Sequence, residues 1–273
     1  MKSEVFSGSR FWTYFKYDLT QLWRNHMKAA VGIGLSGLIA YVFVVLLSLI
    51  RGIGWHGIPF DGRFAIMIAA FAALQLYQTR TYGYLTDKGK GSAWLMVPAS
   101  SFEKWLSMII NTLIVIPLAF FVTYLAVDSL LCLLDPGIGT AVASKISGGL
   151  DSLSNGFVEI NGTYDTTWGI SMWTGILMAS YCINLLYFLL CGICFKKHKI
   201  LSALAIAMVA GLVLSFILGA TGLDSLADAP DYEDFASAEK DIRALLGTLT
   251  AVMWLVAAGL AAGIYFRIKT IKH

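Results

Sequence analysis

AAVGIGLSGLIAYVFVVLLSLI, residues 29–50, carries no charged side chain and is about as long as the ~20 residues a helix needs to cross a hydrocarbon core. Outward from it, five more apolar stretches recur: Phe64–Thr79, Leu106–Val127, Gly169–Phe195, Ile200–Ala220 and Leu245–Phe266. The pattern predicts an all-α integral membrane protein whose six transmembrane helices form one polytopic domain over residues 1–273. Composition agrees, because 58% of the residues are hydrophobic and only 14% are charged. The mean hydropathy is +0.71.

The connecting segments predict an orientation. Assigned alternately to two sides, the N-terminus, residues 80–105, the Lys196–Lys199 cluster and the C-terminal tail hold 15 of the 20 Lys and Arg residues. The external segments 128–168 and 221–244, with 51–63, keep the other 5. The basic side is therefore expected to be cytoplasmic, with both termini on it (N-in, C-in). Of the 17 carboxylates, 13 lie at or beyond the other boundary. The net charge of +3 averages a basic face with an acidic one, so it gives no ground for a nucleic-acid partner. Residues 1–28 lack a clean apolar core, and no cleaved signal peptide is expected.

Within 1–28, Arg10–Arg24 reads as an amphipathic helix. Phe11, Trp12, Phe15, Leu19, Leu22 and Trp23 share an arc of roughly 120°, opposite Thr13, Lys16 and Thr20. The helix is expected at the interface, touching membrane lipids, with packing on the protein's own surface as the alternative.

The most informative connection is residues 80–105, RTYGYLTDKGKGSAWLMVPASSFEKW. Asp87–Gly91 is a glycine-rich turn, and Trp94–Val97 is an apolar run that nothing in the sequence obviously covers. Pro98 stops that run. Ser100 or Ser101 can cap the next helix, and Ser100 with Glu103 has capping-box spacing. The run suggests docking of a cytoplasmic partner, against burial in the headgroup layer.

Chemistry is sparse. The predicted spans hold no Asp, Glu, Lys, Arg or His, and Asp128 lies at an outer helix end. This argues against an ion-coupled transporter, a proton pump or an intramembrane hydrolase. Asn111 and Asn184, like Gln75, Thr112 and Thr123, serve helix packing or line a pathway. Pro117 is expected to kink its helix. Gly259 and Gly263 form a GxxxG pair and Gly32 with Ser36 a similar one, both suited to close helix contact.

Cys191 and Cys194 have CxxC spacing but no soluble redox setting and no full ligand set, so no metal or cofactor is expected. Cys132 and Cys182 complete no disulfide framework. The acidic external segments lack a catalytic partner set, and Asn161-Gly162-Thr163 is a glycosylation-type motif of low specificity. Residues 231–243 suggest a short external helix. No phosphate-binding loop occurs, so the chain is not itself an ATPase of that kind and is not read as an enzyme.

Asp87, Gly91, Trp94, Leu95, Pro98, Ser100 and Glu103, set between the second and third spans, resemble the coupling region of the type 2 permease family of ATP-binding-cassette transporters. LMVPASSFEKWLS is similar to versions in permease-like proteins of the Bacteroidetes. The resemblance implies an interfacial helix before six spans and a bacterial inner-membrane location. It also implies contact of Tyr84–Val97 with a separate cytoplasmic ATPase subunit, and two permease chains, alike or different, forming an export pathway. A non-transporting membrane scaffold is the alternative reading.

Overall fold

The computed structural model describes residues 6–55, 57–86, 91, 94, 96–147, 167–220 and 235–270; at 167–173, 214, 217–220, 235–243 and 245 it describes backbone alone. The described residues are helical, with no strand among them. Helix α1 is Gly8–Leu22, and a π-turn at Trp23–Met27 joins it to α2, Lys28–Gly34. The chain then bends by 41° into α3, Ser36–Ile50. The bend falls among Gly34, Ser36 and Gly37, the small residues at which helices kink. It therefore lies inside the predicted 29–50 span, and the N-terminal helix runs into that span without a break.

After Pro59 comes α4, Phe60–Thr81. A capping box at Ser100 and Glu103 starts α5, Ser101–Ile110, which passes through a π-turn at Asn111–Val115 into α6, Ile116–Leu134. Then follow α7, Thr167–Cys194, α8, Lys199–Ala220, and α9, Phe235–Thr270. Residues 235–243 are thus the start of α9 rather than a separate helix.

Among the described residues, four segments are long and apolar enough to cross a membrane: Phe60–Thr86, Ser101–Leu134, Thr174–Cys194 and Leu246–Thr270. The bent pair α1–α3 makes a fifth if counted as one span, and Lys199–Val213 is a shorter apolar helix. This is the pattern of a helical membrane protein.

Pro117 sits where α6 leaves the π-turn. The π-turn lies just before it, and the carbonyl four residues back, on Leu113, accepts the hydroxyl of Tyr181 from α7. A proline removes the donor that this carbonyl would otherwise have, and a neighbouring helix supplies another. Tyr181 also stacks on Phe71 of α4, ring centroids 6.1 Å apart. Tyr181→Phe keeps the ring and removes the donor, so it is expected to cost roughly 1–2 kcal/mol. Thermal unfolding in detergent reads this directly, and an unchanged midpoint would show that Leu113 finds another donor.

The two charges placed at helix ends by the sequence are buried against one another. Arg63, placed just outside the second span by its sequence position, is inside α4 and buried against Asp128 of α6, Nη1 to Oδ1 2.6 Å. Its other donors reach Cys132 Sγ and the carbonyls of Ile138 and Thr140, while Val142 N–H donates to Asp128 Oδ2. The antiparallel helices α4 and α5–α6 meet again at their other ends, where Asn111 bonds Tyr82. At 1.5 Å per residue, Arg63 and Tyr82 lie about 28 Å apart, and Asn111 and Asp128 about 26 Å apart. These separations are close to the ~30 Å thickness of a hydrocarbon core.

Candidate functional site

The 80–105 connection is tied to the bundle at several points. A 3-10 turn at Gly83–Thr86 follows α4. Lys199, at the start of α8, donates to the Gly83 carbonyl and to Thr86 Oγ1. Leu85 is buried beneath this turn and Tyr84 half-buried, its ring 6.5 Å from that of Tyr82. Gly91, Trp94 and Met96 have helical backbone.

Trp94 corrects the expectation of an uncovered apolar run. It is only 6% exposed. Its indole Nε1 donates to Tyr14 Oη at 2.9 Å, and the Lys104 ammonium lies 4.5 Å from its ring centroid while donating to its carbonyl. What remains outside is Met96, 83% exposed, with Pro98 exposed and Val97 half-buried. Asp87 and Leu95 lie outside the described residues.

Tyr14 belongs to the face of α1 that packs on the protein: Tyr14, Asp18 and Leu22, one turn apart. This face is rotated by about 80° from the aromatic arc read in the sequence. Trp12 and Trp23, at the far edge of that arc, stay exposed, so α1 lies on the protein and also presents aromatic rings outward. Asp18 Oδ2 accepts from Ser107 Oγ at 2.6 Å, Asn111 Nδ2 at 2.9 Å and Tyr82 Oη at 3.0 Å. A buried carboxylate is tolerated here because three neutral donors converge on it. Asn111 thus joins α1, α4 and α5 in a helix-packing role. By sequence alone Asp18 looks like a solvent-facing charge; its four-residue spacing from Tyr14 and Leu22 is the signal that points inward.

Glu103 closes the arrangement. Beyond the capping box, it accepts Ser7 N–H and a two-point contact from Arg10, Nη2 to Oε1 2.7 Å. It is fully buried, so its carboxylate serves α1 and α5 from within. The docking expectation therefore narrows to the exposed tip.

The other residues singled out by the sequence are dispersed. Asn184 Nδ2 bonds the Ser180 carbonyl within its own helix. Among the described residues nothing lies within 4 Å of a Cβ on Gly259, and a Cβ on Gly263 would meet Leu190 at an ordinary 3.7 Å, so this pair makes no close approach to them. Nor does Gly32; α2 and α3 instead meet α6 at Gly34, against Thr123, and Gly37, against Tyr124. All four cysteines are free, and no cluster of three metal-ligating side chains occurs among the described residues. Comparison with protein families, curated proteins and solved structures finds no match.

Proposed function

We propose that the chain is the membrane-spanning permease subunit of an ATP-binding-cassette exporter in a bacterial inner membrane, with six spans and both termini cytoplasmic. A separate ATPase docks on the 80–105 connection, and two permease chains enclose the pathway. The observation that carries this reading is an apolar tip, Met96, on a connection bonded to three different helices. Force on the tip passes through Trp94 to Tyr14 of α1 and Lys104 of α5, and through Gly83 and Thr86 to Lys199 of α8. Asp18 relays movement of α1 to α4 and α5. A connection free to flex would absorb such motion; this one transmits it. The excess of Lys and Arg on the same side supports its cytoplasmic placement.

Met96→Asp tests the docking. The tagged chain is purified from its native membrane in mild detergent, and co-purified protein is assayed for ATP hydrolysis and identified by mass spectrometry. Wild type is expected to bring down an ATPase with a phosphate-binding loop, and Met96→Asp to lose it at an unchanged melting temperature. Absence of any ATPase with wild type in several detergents would sink the permease reading and favour a membrane scaffold.

A further inference from the structure

At the end of the bundle away from the 80–105 connection, Trp55 and Gly57 meet Asp135 and Ile138. Gly57 is the point of contact. A Cβ there would lie 2.1 Å from Ile138 Cγ2 and 3.1 Å from Asp135 Oδ2, so any larger residue would have to push those two side chains aside. Their junction forms a small open crevice of about 170 Å³, lined by Trp55, Gly57, Pro59, Asp135, Gly137 and Ile138.

The Asp135 carboxylate is held in place by three donors. Tyr41 Oη at 2.7 Å and Trp55 Nε1 at 3.1 Å bond Oδ2, and Gly137 N–H at 3.1 Å bonds Oδ1. The Tyr41 and Trp55 bonds hold its carboxyl below the usual carboxylate range, so it is ionised at neutral pH. It forms no ion pair with a described residue. Beside this charge the Trp55 indole is 62% exposed.

The donor set selects the kind of cation. A metal ion takes about four to eight ligands, and a single carboxylate whose oxygens already accept three hydrogen bonds cannot supply them. An organic ammonium asks only for a negative charge and an aromatic face. We propose that this crevice binds an organic ammonium group, seated against the exposed Trp55 indole beside the Asp135 carboxylate to which that indole is bonded. The inference does not depend on ATPase docking. Arg63, near the start of an apolar helix long enough to cross a membrane, bonds the Ile138 carbonyl in the crevice wall, so the proposal admits a lipid headgroup or a soluble amine as the source of the ammonium.

The test uses the full chain in phosphatidylglycerol nanodiscs, titrated with tetramethylammonium chloride against matched sodium chloride and read by calorimetry. Wild type is expected to bind saturably. Asp135→Asn should bind at least about tenfold more weakly, since the charge is lost. Trp55→Ala should bind about twofold to fivefold more weakly. Trp55 is largely exposed, so this second variant keeps the fold intact even if the first disturbs it, and gel filtration checks both. In phosphatidylcholine nanodiscs, weaker apparent binding supports the site with a lipid headgroup as occupant. Undiminished binding supports it with a soluble amine. Equal binding by wild type and both variants, or no saturable binding by wild type in phosphatidylglycerol, overturns the proposal.

Discussion

Asp128→Asn is expected to lower stability by roughly 3–5 kcal/mol, because it breaks a buried ion pair while leaving the cation in place. Both side chains are buried, and the Asp128 oxygens do different work: Oδ1 meets Arg63 and Oδ2 accepts Val142 N–H at 2.6 Å. An asparagine offers one acceptor and one donor, so its amide nitrogen must face either the guanidinium or the Val142 N–H. Either way, donor faces donor. Arg63 keeps the carbonyls of Ile138 and Thr140 as its oxygen partners, which do not neutralise a buried charge. Circular dichroism during titration with sodium dodecyl sulfate measures the loss. The double variant Arg63→Met with Asp128→Leu removes both charges and is expected to lie nearer wild type than the single variant. Recovery should be incomplete, since two carbonyls still lose their donor. A single variant within about 0.5 kcal/mol of wild type would contradict the account.

That pair also shows where sequence reading stops. The apolar stretches are visible as continuous runs, because a helix in lipid must be apolar over its whole length. The capping box of Ser100 and Glu103 is visible because its residues are three apart, and it forms as expected. Arg63 and Asp128 are 65 residues apart, and each on its own looks like a charge stopping short of the membrane. Only the antiparallel packing of α4 on α6 brings them together. Asp18 is a similar case, since its three donors come from α5, the π-turn after it and the end of α4. Trp94 reads as uncovered because its cover, Tyr14, is 80 residues away. Residue type and spacing report what a helix can do alone; these side chains are decided by which helix lies opposite.

Two glycines give that point its sharpest test. Gly192→Leu is expected to be the most disruptive change within α7, whereas Gly259→Ala should pass almost unnoticed. The sequence pattern favours the opposite, since Gly259 belongs to a GxxxG pair and Gly192 is only a spacer inside a CxxC. Gly259 has nothing among the described residues within 4 Å of an added Cβ. At Gly192 that Cβ would lie 2.3 Å from the Thr79 carbonyl oxygen and 2.9 Å from its Cα, so α7 and α4 touch backbone to backbone. A flexible side chain could move aside, but a helix backbone cannot without parting the two helices. Overpacking at a tight contact costs roughly 1–3 kcal/mol, and a leucine here belongs at or above the upper end. Separating α4 from α7 should also disturb the bond of Lys199, just beyond α7, to Gly83, which sets the 80–105 connection. If the permease reading is correct, ATPase co-purification with Gly192→Leu should therefore fall together with melting temperature, whereas Met96→Asp lowers the first alone. Gly192→Leu that melts like wild type would mean that α4 and α7 do not cross where this structure has them.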